Sequence, residues 1–167
     1  MKDSQGVARF ARTVSVLVAA GVLPLAALSQ APARFVASGD GQEVLDTKTS
    51  LVWRRCAEGM LFDGTTCKGK VLKFKFADAK GHAGSAAPAE GKGWRVPTKE
   101  ELATLVIKQK AKPLIDAEAF PNTPKGLYWA KRPGFDDNLN AWMMDFNNGH
   151  TYGGTGSKQA LRLVRDK

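Results

Sequence analysis

Short runs in which apolar and polar residues alternate characterise the chain from Phe35 onward. Phe35 to Ser38 and Glu43 to Asp46 flank a turn signal at Gly39 to Gly41, and this arrangement predicts a β-hairpin. Further apolar runs of strand length follow along the chain. They predict strands at Leu51 to Trp53, Leu127 to Ala130, Ala141 to Phe146 and Leu161 to Arg165.

The middle of the chain favours a strand edge that passes into a short helix. Val71 to Phe76 ends with alternating lysine and phenylalanine, the pattern of a strand. Ala77 to Ala83 has a helix-compatible composition that stops at Gly84. Gly81 to Gly93 is rich in Gly, Ala and Pro and predicts a flexible connection.

A second helix has the clearest local signal. Thr98 can accept a hydrogen bond from the amide of Glu101, whose side chain can reach back to the amide of Thr98, and this reciprocal pair is a capping box. Three apolar residues then fall on one helix face: Leu102, Leu105 and Val106. Pro113 ends the predicted helix after Lys112. The whole pattern predicts an α+β fold with short antiparallel strands and two helices.

Residues 1–33 have the pattern of a secretory signal peptide. Basic residues precede an apolar stretch from Val14 to Leu28, and cleavage after Ser29 or Ala33 would satisfy the small-x-small rule. A retained membrane anchor is the alternative, although a spanning helix needs about 20 apolar residues. We therefore expect an exported protein, periplasmic or extracellular, with a domain over residues 34–167 and no membrane span after cleavage.

The charge of the chain favours an anionic partner. Lys and Arg number 25 against 16 Asp and Glu, a formal charge of +9, and removing residues 1–33 lowers it by 2 to +7. The basicity therefore belongs to the predicted domain. Export makes a nucleic acid the less favoured polyanion, which leaves an anionic polysaccharide or an acidic envelope partner.

Several motifs resemble those of one family in their order and spacing. They are Asp46 to Trp53; Trp94 to Leu102; Ile115, Asp116 and Ala119 to Pro124; Tyr128 and Trp129; Ala141, Trp142 and Asp145 to Gly149; and Arg162 to Arg165. This series, over residues 43–165, resembles the Lcl C-terminal domain family, named for a bacterial collagen-like surface adhesin. The resemblance implies a C-type lectin-like fold.

In the adhesin, the resembling domain recognises sulfated glycosaminoglycans as a trimer, which implies glycosaminoglycan binding here. This chain has no Gly-x-y collagen stalk, so whether it forms an oligomer stays open. The segment Trp94 to Glu101 also resembles part of the formylglycine-generating sulfatase-modifying enzymes, which use a cysteine pair for copper and oxygen chemistry. Cys56 and Cys67 lie near the start of the predicted domain rather than late in the chain, so we do not expect that activity.

Cys56 and Cys67 are expected to form a structural disulfide, because an oxidising compartment and a loop containing Gly59 and Gly64 favour closure. A redox pair would more usually be Cys-x-x-Cys. Residues of the family motifs are expected to act in folding: Trp53, Trp94, Arg95, Pro97, Thr98, Glu101, Trp129 and Trp142. In the strand from Ala141, we expect Trp142, Met144 and Phe146 to face the core, opposite Ala141, Met143 and Asp145.

Few residues suggest catalysis or metal binding. Asp136 and Asp137 lie in an oxygen-rich group that a calcium ion would accept, but turn formation explains the group equally well. His82 and His150 have no nucleophile in a recognisable arrangement nearby. We therefore expect no enzymatic activity, no cofactor and no metal.

A basic edge is the candidate ligand site. It comprises Lys68, Lys70, Lys73 and Lys75, and the last two share a strand face if Phe74 and Phe76 point inward. The resulting hypothesis is an exported, non-catalytic module that binds an anionic glycan or envelope polymer. A structural or assembly module of an envelope complex is the first alternative, and a sulfatase-modifying-like enzyme is the second.

Overall fold

The structure, a computed structural model, describes residues 33–134 and 141–167. The predicted signal peptide therefore lies outside the described residues, apart from Ala33. The described strands are β1 (Phe35–Ala37), β2 (Glu43–Asp46), β3 (Leu51–Arg54), β4 (Met60–Phe62), β5 (Cys67–Gly69), β6 (Lys73–Phe74), β7 (Leu127–Lys131), β8 (Ala141–Asp145), β9 (His150–Gly153), β10 (Gln159–Ala160) and β11 (Val164–Asp166). The described helices are α1 (Phe76–Ala89) and α2 (Lys99–Thr104).

The first sheet brings together the two ends of the described chain. Its order is β1-β2-β3-β11, and every neighbouring pair is antiparallel. The predicted hairpin is confirmed, and Gly41 adopts a φ of 71° in its turn. The last strand begins at Val164 rather than at the predicted Leu161, whose carbonyl instead accepts a hydrogen bond from the Glu58 amide outside the sheet.

The second sheet has the order β6-β10-β7-β8-β9, with β10 and β7 parallel and the other pairs antiparallel. Strand β8 lies inside this sheet, and residues on both of its faces are buried. Met144 and Phe146 are in the core as expected, but Trp142 is only half-buried. Ala141 and Met143 were expected on the opposite, less buried face, and this is wrong because a second apolar cluster covers them.

Helix α1 is longer than predicted. It continues to Ala89, through Gly84 and most of the segment expected to be a flexible connection. Phe76, Ala79 and Ala83 are buried in the cluster that contains Trp129. This burial offsets the poor helix propensity of glycine, which costs about 1 kcal/mol per residue relative to alanine.

Helix α2 is shorter than predicted. The capping box forms, but the helix ends at Thr104 instead of Lys112. Beyond it, the Ile107 amide donates to the Leu114 carbonyl at 3.1 Å, so the chain turns back on itself. Leu102 and Leu105 are fully buried, and this packing holds the short helix against β7 and β8.

These elements confirm the predicted α+β fold, with two apolar clusters between small sheets and helices. Strands β4 and β5 form a separate two-stranded sheet. Among the described residues, no helix has the length and apolar character needed to cross a membrane.

Candidate polyanion-binding surface

The four lysines predicted to bind ligand lie on one continuous segment from β5 to the start of α1. Lys68 is in β5 and Lys73 is in β6, whereas Lys70 and Lys75 lie just outside these strands. All four side chains are exposed. We refer to these four residues as the basic ribbon.

A disulfide fixes the beginning of the basic ribbon. Cys56 and Cys67 are bonded to each other as predicted, with their Cα atoms 5.5 Å apart, and both are buried. The Asn122 side-chain amide donates to the Cys67 carbonyl at 2.8 Å, which adds a second attachment. Lys68 therefore follows a residue that is anchored to two distant parts of the chain.

Two glycines allow the backbone beneath Lys70 to pass close to β4. Gly59 has a φ of 86°, and a Cβ there would lie 2.4 Å from the Lys70 carbonyl oxygen. Gly69 has a φ of 115°, and its Cβ would lie 2.8 Å from the Gly59 carbonyl oxygen. Both separations are shorter than atoms tolerate, so these backbone segments are in direct contact. The path of the backbone that carries the basic ribbon thus depends on the absence of side chains at both glycines.

The second half of the basic ribbon differs from the prediction. Strand β6 contains only Lys73 and Phe74, and the carbonyl of Lys75 already accepts a hydrogen bond from Ala79 at 2.9 Å in the first turn of α1. Lys73 and Lys75 therefore do not share a strand face. Phe76 is buried as expected, because the helix turns it into the core.

The charges along the basic ribbon are unequally compensated. Lys68 forms an ion pair with Asp63 at 2.7 Å. This contact, assisted by the Thr66 and Thr65 amides, holds the pKa of Asp63 far below its usual range, and Asp63 in turn raises the pKa of Lys68. Within the described part of the chain, no acidic side chain forms an ion pair with the remaining three ribbon lysines: Lys70, Lys73 and Lys75.

The tryptophans that were expected to be structural lie mainly in the core. Trp53 and Trp129 are fully buried, and Trp94 is 3% exposed. The Trp129 indole donates to the Phe74 carbonyl at 2.7 Å, which ties the ribbon segment to the second sheet. Trp142 is half-buried, with the Lys99 ammonium 4.3 Å from its ring centroid.

Trp94 is held by charged neighbours as well as by apolar packing. The guanidinium groups of Arg54 and Arg165 lie 4.8 and 5.4 Å from its ring centroid. Its indole N–H donates to Glu90 at 2.9 Å. Because aromatic rings attract cations over their faces, this arrangement orients the ring beyond what burial alone would do.

Arg95, Thr98 and Glu101 form one interaction network. Glu101 accepts from the Thr98 amide at 2.8 Å and from both terminal nitrogens of Arg95 at 2.8 Å. Burial raises the pKa of Glu101, but hydrogen bonds from Arg95 and the Thr98 amide outweigh it and lower the pKa overall. Pro97 is buried between these residues along the chain. Arg95 also pairs with Asp166 of β11 at 3.1 Å, so the network joins the start of α2 to the first sheet, and its role in folding stays a prediction.

Arg162 is the main structural residue whose role the sequence did not reveal. It is 1% exposed and donates to the carbonyls of Arg54 and Arg55 and, at 3.0 Å, to the Thr123 hydroxyl. Burial lowers its pKa. The only sequence signal was its place in the motif Arg162 to Arg165, because a charged residue is rarely expected in a core.

The described residues contain no group of three or more His, Cys, Asp and Glu side chains that could hold a metal ion. Asp136 and Asp137 lie outside the described part of the chain. His82 contacts Glu58 at 2.7 Å and stacks on Phe74 with a ring-centroid distance of 4.8 Å, and His150 is exposed.

Comparison with known proteins gives a family but no close relative. No curated protein matches the chain, and no solved structure matches it. The C-type lectin-like character of the fold therefore stays a prediction. Residues 42–165 match the family model of the Lcl C-terminal domain, which covers most of the chain and includes the basic ribbon. The chain belongs to the Lcl C-terminal domain family.

Proposed function

We propose that the chain is an exported, non-catalytic module that binds an anionic glycan or envelope polymer, in a C-type lectin-like fold, through the basic ribbon. The observation that carries this proposal is the exposure of Lys70, Lys73 and Lys75 without an acidic partner among the described residues. A ligand that supplies anionic groups would meet these ammonium groups without first breaking an ion pair.

The dimensions of the basic ribbon suit a polymer rather than a single anion. Lys68 and Lys75 are separated by a stretch of chain that can extend over at most about 25 Å. The disulfide at Cys67 and the glycine contact at Gly59 fix the backbone, while each ammonium remains on a flexible stem. Lysine binds as a point charge, so several weak contacts to successive anionic groups would add together.

The experiment is salt elution of the exported protein from immobilised heparin, which serves as a model sulfated polysaccharide. Replacing Lys70, Lys73 and Lys75 with glutamate should lower the salt needed for elution strongly. The matched control replaces three other exposed lysines with glutamate: Lys108, Lys110 and Lys112. Both variants change the net charge equally, and salt screens both, since the Debye length falls from about 10 Å at 0.1 M to about 3 Å at 1 M.

A larger decrease in the eluting salt concentration for the ribbon-lysine variant than for the control would support the proposal. Equal decreases would show that net charge alone governs retention on heparin. No decrease for the ribbon-lysine variant would place the binding surface elsewhere. A structural or assembly module with an acidic protein partner is the alternative, and co-purification with one stoichiometric protein would favour it. The enzyme alternative needs reactive thiols, whereas Cys56 and Cys67 are bonded and buried.

A further inference from the structure

Exposed apolar side chains accompany the lysines of the basic ribbon. Four large hydrophobic residues are exposed in the described part of the chain: Val36, Leu61, Leu72 and Tyr152. Two of them lie on the ribbon or the strand beside it, and Leu61 is the most exposed, at 68%. Single exposed leucines need no explanation, but these two lie on or beside the segment that carries the four lysines, so apolar and basic side chains occur together along this part of the surface.

The strand register places Leu61 next to a lysine of the basic ribbon. Leu61 in β4 is directly opposite Lys68 in β5, so the two side chains project from the same face. The neighbouring pair, Phe62 and Cys67, points to the other side, where Cys67 is buried. The two-stranded sheet of β4 and β5 therefore packs one face on the core and presents leucine and lysine side by side to solvent.

Leu72 holds a similar position farther along the segment. Its amide donates to the Glu58 carbonyl at 2.8 Å, and its side chain lies against Gly59, where a Cβ would come within 2.6 Å of its Cγ. The leucine is nevertheless 46% exposed. It stands between Lys70 and Lys73 in the sequence, so basic and apolar side chains follow one another along this segment.

We propose that this face, formed by Leu61, Leu72 and the basic ribbon, docks on an anionic lipid bilayer. A soluble polysaccharide would pair with the lysines but would leave both leucines in water. A bilayer surface of anionic phospholipid satisfies both groups, because phosphates attract the ammonium groups while the leucines enter the boundary between headgroups and acyl chains. The proposal goes beyond polysaccharide binding by assigning a second class of ligand to the same lysines.

The contributions expected from each kind of residue are measurable. A lysine near an anionic membrane strengthens partitioning by about fivefold. A leucine that loses about half of its exposed area to the bilayer strengthens it by about tenfold. Binding should therefore require both anionic lipid and the two leucines.

The experiment is co-sedimentation of the exported protein with vesicles of phosphatidylcholine, with or without phosphatidylglycerol. The test variant carries Leu61→Ser and Leu72→Ser, and the matched control carries Val36→Ser and Tyr152→Ser, which remove two exposed apolar side chains elsewhere. Parent and control should bind the mixed vesicles alike, whereas the test variant should bind at least about tenfold more weakly. All variants share the same N-terminal region, so any difference in vesicle binding comes from the substituted side chains.

Retention on heparin tests the proposed function separately, because heparin binding depends on the lysines and not on the leucines. The leucine variant should therefore elute from heparin at the parent's salt concentration. The single change Leu61→Ser alters only a strongly exposed side chain and should still weaken vesicle binding, so the inference is testable even if the double variant is unstable. Equal binding by the parent and leucine variants, or equal binding to neutral and anionic vesicles, would overturn it. Conversion of a dimer to a monomer by the leucine changes, without vesicle binding by the parent, would assign the face to a second copy and would also overturn it.

Discussion

The capping box at Thr98 allows one interaction to be removed without disturbing the core. Thr98→Ala deletes the hydroxyl that accepts from the Glu101 amide at 3.2 Å, whereas the return bond from the Thr98 amide to Glu101 at 2.8 Å does not need that hydroxyl. Loss of a helix N-cap costs about 1 kcal/mol. The first four amides of a helix lack intrahelical partners, and these make up most of α2, which spans only Lys99–Thr104.

Urea unfolding followed by tryptophan fluorescence would measure this cost. With a slope of about 2 kcal/mol per molar urea, the midpoint should fall by about 0.5 M. Thr98→Ser keeps the hydroxyl and should restore most of the loss, and Thr155→Ala, at an exposed threonine, should change the free energy of unfolding by less than about 0.5 kcal/mol. If Thr98→Ala left the midpoint at the parent value, the cap would contribute nothing and the argument would be refuted.

Two further predictions concern the Asp46 carboxyl group and the backbone contact at Gly59. Burial raises the pKa of Asp46, but hydrogen bonds from Arg34 and the Lys48 amide outweigh it, so the folded carboxyl titrates below the unfolded one. Stability should therefore fall as pH decreases below about 4, and Asp46→Asn should reduce that dependence, which urea midpoints across pH would test. Gly59→Ala should destabilise the fold by at least about 2 kcal/mol in the same assay, more than Gly64→Ala, which has a positive φ but no atom within 4 Å of its added Cβ; equal losses would contradict the contact.

Local sequence signals predicted the parts of the fold that depend on neighbouring residues. The first hairpin, the capping box at Thr98 and the disulfide between Cys56 and Cys67 each require only a short segment, and the structure confirms all three. The ends of the two helices were wrong because distant contacts decide them. Packing of Ala86 and Ala87 against the second apolar cluster extends α1 beyond Gly84. The hydrogen bond from the Ile107 amide to the Leu114 carbonyl turns the chain back soon after α2 ends.

The candidate surface was predictable in composition but not in geometry. Four lysines in a short segment were evident, and their exposure agrees with that pattern. The sequence did not show that Asp63 compensates Lys68 or that β6 ends at Phe74, since both depend on how β4, β5 and β6 are placed. The exposure of Leu61 was also not predicted, because an apolar residue in a strand is normally expected to be buried.

Strand β11 has a consequence for the biosynthesis of this protein. The first sheet is completed by Val164–Asp166, which pair with β3, and Arg162 supplies donors to two carbonyls more than one hundred residues earlier. The first sheet thus lacks one neighbouring strand until Val164–Asp166 have been synthesised. Such long-range pairing slows folding, because distant segments must meet before their contacts form. Strands β1 to β3 would consequently wait for β11, and the first sheet would close only after the segment between them has been made.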